Sequence, residues 1–200
     1  MTAPRATPTF TETARRAQIV ASAIATVNAL GYHRASLAEI ARHAGIAKSA
    51  IVYYFGSKDA LMELVMTEVF TKLGATVVAA VTAATGHRTR LRAYAESSLR
   101  HTEAHPAEIA AAVTVAVSHR NAAGTPVYLE PAEEDTALLR EILSAGMAAG
   151  EIRGTDPATA VAIVEALLDV PVTAVQRDPA APLAALNQEV LHALDRWLRP

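Results

Sequence analysis

Ala41, Gly45 and Ile51 stand four and then six residues apart, a spacing that leaves a chain few ways to fold. A small side chain lets two helices approach, a glycine turns the chain between them, and a branched apolar side chain locks the second helix onto the first. A generic helical hairpin reproduces any one of these features. Here all three sit inside "SLAEIARHAGIAKSAIVYYFGSKDAL", residues 36–61, with further punctuation on both sides. Ser36 followed by Glu39 forms a capping-box pattern, in which each side chain satisfies a free amide of the other's backbone. Leu37, Ile40, Ala41 and Ala44 then recur at helical spacing, and Gly45 ends the helix in a left-handed conformation that costs a glycine nothing.

The chain restarts over residues 47–55. Ile46, Ile51 and Phe55 face inward there, while Lys48, Ser49, Val52 and Tyr53 face away. Upstream, Ile19, Val20, Ala23, Ile24, Val27 and Leu30 mark one apolar face of a helix over 15–30, stopped by Gly31. Three helices therefore share one small core. Ser57 caps a fourth, with Asp59 favourable in its first turn and Leu61, Leu64, Val65 and Val69 giving it a buried stripe.

Beyond Gly86 the pattern predicts helices over 88–103, 106–120, 131–149, 157–177 and 182–198. Pro106, Pro131, Pro157 and Pro182 fall near helix starts, where a missing amide proton does no harm. Pro171 falls inside a helix and deletes the bond to the Leu167 carbonyl. Alanine is abundant, aromatic residues make up only 4% of the chain, and no segment alternates as a strand does. The expected fold is all-α with about nine helices. Residues 1–11 read as a flexible arm, 12–58 as a helix-turn-helix head, and 59–200 as a helical body.

Cysteine is absent, which removes disulfides, thiolate nucleophiles and thiolate metal sites. A basic-then-apolar stretch over 15–31 imitates a secretion signal, but Gln18, Thr26 and Asn28 interrupt it. The apolar run over 158–175 contains Glu165, Asp169 and Pro171, which argues against a membrane span. The expectation is a cytoplasmic protein. Its net charge of -2 divides unevenly, with +4 over residues 1–60 and -6 over the remainder. A basic head on an acidic body suits phosphate binding at one end and a separate task at the other.

Residues 36–61 resemble the DNA-binding head of the TetR family of transcriptional regulators, and "YYFGSKDAL" is among that family's most recognisable phrases. The likeness extends over about residues 12–70. It implies an all-helical homodimer whose heads read a palindromic operator and whose bodies bind a small-molecule effector that releases the DNA, most often as a repressor. A weaker likeness lies at "GMAAGEIRGTDP", residues 146–157, which is similar to the family's turn before its last two helices, the pair that builds the dimer's four-helix bundle.

On that resemblance each head residue takes a role. Lys48 and Ser49 enter the major groove, where short polar and cationic side chains reach base edges. Tyr53 lies against the sugar-phosphate backbone, and Tyr54 packs inward beside Phe55. Lys58 combines its charge with free helix-start amides to hold a phosphate, and Ser36 with its helix amides holds another. Ala41, Ile51 and Phe55 are core residues with no DNA contact. Two positions depart from the family pattern. Ala47 stands where a hydroxyl residue is common, so the third helix lacks a side-chain cap, and Val52 stands where tyrosine is common, leaving at most a contact to a thymine methyl.

The body is quieter. An effector pocket is mostly apolar with a few polar anchors, which makes Tyr94, His101, His119, Tyr128 and Met147 the candidates, for a largely hydrophobic effector. His101 and His105 are one helical turn apart, a spacing that two ligands of a metal share, yet "HTEAH" lacks the glutamate of a zinc-protease motif, so no metal and no cofactor is assigned. Arg88, Arg90 and Arg92 read as a solvated helix start, and Glu133, Glu134 and Asp135 as negative charge favourable in a first turn. Val161, Val164, Leu167, Leu168, Leu183, Leu186, Val190, Leu194 and Trp197 offer more apolar surface than the last two helices of a monomer need, and are assigned to the dimer interface. No nucleophile, base and orienting group recur at a recognisable spacing, so the chain is read as no enzyme. The competing readings are a helical protein-interaction module and a small-molecule-binding protein without DNA binding.

Overall fold

The computed structural model describes residues 10–120, 124–127 and 133–199. These residues form nine helices: α1 (Phe10–Leu30), α2 (Leu37–Ala44), α3 (Lys48–Phe55), α4 (Lys58–Ala83), α5 (His87–Ala104), α6 (Pro106–Ser118), α7 (Glu133–Ala148), α8 (Pro157–Arg177) and α9 (Ala184–Trp197). The all-α expectation holds. α1 opens at Phe10, five residues before Arg15, and places Glu12 in its first turn, where the helix dipole favours a carboxylate. α9 opens at Ala184 rather than at Pro182, because Asp178 bends the chain ahead of it by accepting from the Ala180 and Ala181 amides.

The head closes around Ile19, Ala23 and Val27 of α1, Ile40 and Ala41 of α2, and Ile51 of α3. That core is incomplete without the body. Leu61, Met62 and Val65 of α4 and Ala111 and Val115 of α6 are buried in the same cluster. α4 then passes on to a second cluster, where its Val69 meets Ile109, Ala110 and Ala112 of α6 and Val175 of α8. Its last turns reach a third, with Val77 and Val81 against Leu91 and Leu99 of α5, Leu139 and Leu143 of α7, and Val164 of α8. A chain split at residue 58 therefore divides the sequence but not the packing.

α4 and α8 are also long and apolar enough to cross a membrane by length and composition. Each buries one face in the clusters just described. The arginines at the start of α5 are not merely solvated: Arg90 pairs with Glu141 of α7 at 3.3 Å, and Arg92 bridges Glu96 and Asp195 of α9 at 2.7 and 2.8 Å.

The residues expected at a dimer interface divide. Val161, Val164, Leu183, Val190 and Leu194 are buried inside the chain itself; the first two and last two pack with residues of α5 and α7, and Leu183 packs with Val69 of α4, Ile109 of α6 and Val175 of α8. Leu167, Leu168, Leu186 and Trp197 remain half-buried at the edges. What α8 turns outward is a stripe of Ala162, Ala166 and Val170, the last exposed to 41%. Sequence periodicity marked these helices without separating their inward from their outward face, since both faces of α8 carry apolar residues.

The turn between α7 and α8 folds back tightly. The Gly146 carbonyl accepts from the amides of Glu151 and Ile152 at 2.9 and 3.1 Å. A methyl group at Gly146 would overlap the Ile152 side chain and approach His87 Cβ at 3.0 Å. Gly146→Ala is expected to lower the unfolding free energy by about 1–3 kcal/mol through overpacking. Urea denaturation, with a shifted midpoint and an unchanged slope, checks this.

Candidate nucleic-acid interface

α2, the Gly45 turn and α3 are built locally as the spacing requires. The Ser36 hydroxyl accepts from the Glu39 amide at 3.2 Å, and Gly45 takes φ 65° while its amide reaches back to the Ala41 and Arg42 carbonyls. Only half of the expected capping box forms. The Glu39 carboxylate does not return to the Ser36 amide but pairs with Arg42, accepting from Nε at 3.0 Å. An exposed i,i+3 ion pair of this kind adds little stability. Ser36 itself is exposed.

Ile51 anchors α3 with no exposed surface, a burial that contributes about 1.5–3 kcal/mol. Its neighbours on the opposite face, Lys48, Ser49, Val52 and Tyr53, are all exposed, Tyr53 to 78%. Tyr54 turns inward and its ring meets those of Tyr53 and Phe55 at 5.1 and 6.5 Å.

Two side chains of α1 hold this unit in place, and neither carried a local signal. Arg16 donates to the Tyr54 carbonyl at 3.0 Å and lies over the Phe55 ring at 4.7 Å, tying down the end of α3. Gln18 donates to the Ala44 carbonyl at 2.9 Å and ties down the end of α2.

Ala47, just before α3, has the extended φ/ψ of an N-cap but no side chain to accept a bond. The first amides of α3 are left for solvent or a ligand. α4 is capped normally, by Ser57 accepting from the Ala60 amide at 3.1 Å. Lys58, the first residue of α4, is not a solvated lysine. Its ammonium donates to the Tyr32 carbonyl and sits 4.3 Å from the centre of the Tyr32 ring. Burial lowers its pKa, with Asp59 opposing the shift. The Tyr32 phenol is raised, first by burial and then by the charge and hydrogen bonding of Asp59. Tyr32 also bonds to His119 Nδ1 at 2.9 Å.

The body candidates do not converge. His119 caps the end of α6 at the joint with the head. Tyr94 and Met147 pack against the large body cluster. His101 is buried between Thr76, 3.3 Å away, and the His105 ring at 4.6 Å. Tyr128 lies outside the described residues. None of these four lines either of two hollows in the described chain, one of about 30 Å³ between Leu91, Ile152, Leu194 and Leu198, the other an open groove beside Arg140 and Ser144 on α7. The smaller is water-sized. Long-range packing filled the space that periodicity alone left open.

The fold and this exposed helix define a helix-turn-helix protein, with the two-helix unit mounted on an all-helical body. Residues 19–65 match the family described as "Bacterial regulatory proteins, tetR family". The HTH-type transcriptional regulator BetI of Yersinia pestis (strain Pestoides F) is 38% identical over 86 residues, covering 42% of this chain and 43% of that protein. BetI 2 of Chromohalobacter salexigens is 38% identical over 68 residues, 34% of this chain and 33% of its own length. The chain thus spans less than half the length of the curated relatives it matches. Over 90% of the chain and 96% of the other, it has the fold of the TetR family regulator PfmR from Thermus thermophilus, at 21% identity and a TM-score of 0.76. FadR from Bacillus subtilis, solved in complex with stearoyl-CoA, aligns over 92% of this chain and 99% of that one, at 22% identity and a TM-score of 0.73. The head therefore resembles that of the TetR family, and the whole chain has the fold of solved TetR-family regulators.

Two consequences are measurable. Ala47→Ser supplies the absent cap and is expected to raise stability by about 1 kcal/mol, with slower amide exchange in the first turn of α3. His101, held below its ordinary value of 6.5 first by burial and then by His105, favours the neutral form in the folded state. The unfolded chain then binds more protons below about pH 6.5, so stability is full above that value and falls as the pH drops through it. His101→Gln is expected to flatten this acid limb in pH-dependent denaturation, relative to the unaltered protein.

Proposed function

We propose that this protein is a ligand-responsive, DNA-binding transcriptional regulator, acting as a homodimer on a palindromic operator and most simply as a repressor. One observation carries the reading: Lys48, Ser49, Val52 and Tyr53 stand exposed on the helix whose opposite side is locked by Ile51, within a TetR-family head. Lys48 and Ser49 reach base edges, Val52 meets a thymine methyl, and Tyr53 lies along the sugar-phosphate backbone. Lys58 holds a phosphate at the start of α4, where the remaining ammonium protons and free amides converge, and Ser36 marks a second phosphate site at the start of α2. The reading makes the protein cytoplasmic and non-enzymatic.

The body supplies the second copy and the effector. α8 exposes Ala162, Ala166 and Val170, with Asp169 among them, beside the half-buried Leu167 and the half-buried Leu186 of α9, a face suited to self-association. A drug-sized ligand requires a cavity of about 300 Å³ or more, far larger than the enclosed hollow between Leu91, Ile152, Leu194 and Leu198, so that hollow would have to widen to take an effector. The stearoyl-CoA of the FadR structure favours a largely hydrophobic effector here as well.

Selection from a randomised duplex pool tests this. A palindromic site is expected to be enriched, and sedimentation should find two chains per site. Lys58→Ala should weaken binding to that site and to random duplex alike, and reduce the slope of log affinity against log salt by about 0.9 for each phosphate no longer neutralised. A pool without enrichment, or a single chain in solution, overturns the reading.

A further inference from the structure

α6 belongs to the body by sequence and packs against both body and head, and it is pinned at both ends by polar bonds that reach across to the head. At its start the Ala107 carbonyl accepts from Asn28 of α1 at 2.8 Å. At its end His119 Nδ1 meets the phenol of Tyr32, in the turn between α1 and α2, at 2.9 Å. His119 is itself fixed: its amide donates to the Val115 carbonyl at 2.7 Å and its carbonyl accepts from the Val127 amide at 3.0 Å. The other side of Tyr32 carries Lys58, bonded to its carbonyl and stacked on its ring. One tyrosine therefore touches the end of α6, the turn before α2 and the first residue of α4.

We propose that Tyr32 and His119 are positioning residues that set the angle of the head on the body and so decide operator specificity. This rests on the regulatory reading above. Affinity for random duplex comes from charge and tolerates a head that wavers. Operator binding does not, because two recognition helices must reach major grooves about one helical turn apart at the same time. A bond that removes angular freedom from each head strengthens the second mode and leaves the first almost unchanged. Neither Tyr32 nor His119 needs to touch DNA for this. The phenol stays protonated, and the histidine can meet it as acceptor or as donor according to its tautomer.

The experiment uses the full-length protein and the site enriched from the random pool. Tyr32→Phe keeps the ring under Lys58 and removes the hydroxyl, with its bond to His119 and its interaction with Asp59; His119→Ala removes the first alone. Tyr32→Phe should weaken binding to the selected site about tenfold, the equivalent of about 0.7 kcal/mol in each of the two heads. Random-duplex affinity should change by less than about twofold and the salt slope should not change, since every phosphate keeps its partner. His119→Ala should do the same, and the double variant should be no weaker than Tyr32→Phe alone. His119→Asn, whose amide can place a donor or an acceptor where Nδ1 lies, should recover most of the affinity. If Tyr32→Phe matches the unaltered protein on the selected site, or lowers both affinities equally, or His119→Asn binds no better than His119→Ala, the proposal is overturned. Absence of any enriched site is a different result and removes the regulatory reading instead.

Discussion

Everything in this molecule follows from the burial of Ala111 and Val115, two residues of α6, in the core of the head. One long helix and two short ones do not enclose enough apolar surface to be stable alone, and here the deficit is met by α4 and α6. The next residues of α6 on its other side, Ile109, Ala110 and Ala112, are packed into the body. One helix thus serves two cores. Packed interiors shift between discrete arrangements more readily than they deform smoothly, so a rearrangement in the body that displaces α6 has to be answered in the head.

The exposed face of α3 depends on the same economy of contacts. A helix of eight residues is far shorter than an isolated helix needs to persist in water, and this one lacks a side-chain cap. Tertiary contacts replace local stability: Ile51 from within, the Arg16 bond to the Tyr54 carbonyl at its far end, and the Gln18 bond that secures the helix before it. Because every one of these contacts lies on the inner side, the outer side is free to carry residues chosen for what they can touch. Lys48, Ser49, Val52 and Tyr53 occupy it without cost to the core.

The body shows how much a periodic pattern leaves unspecified. α8 has apolar residues on nearly all sides, so its sequence identifies a helix with neighbours but not which neighbour takes which side. Val161 and Val164 turn into the protomer while Ala162, Ala166 and Val170 turn out. A similar ambiguity surrounds the candidate effector residues: the alanine-rich helices pack closely enough that Tyr94, His101 and Met147 become parts of a filled interior. His119 was assigned by its sequence to an effector pocket and Tyr32 was given no role, because nothing in either neighbourhood announced the bond between them.

The amino-acid order alone determined the helices, the Gly45 turn, the Ser36 and Ser57 caps and the division of α3 into an anchored and an exposed side. Each of those outcomes is marked by residues within about five positions along the chain, where helix geometry makes the neighbour known in advance, even where distant contacts then hold the helix in place. Only the tertiary structure decided that Lys58 would rest on Tyr32, that Tyr32 would meet His119, and that α6 would complete the head. Those partners are 26 and 87 residues apart, and at such separations the meeting is set by how whole helices pack, which no local spacing encodes.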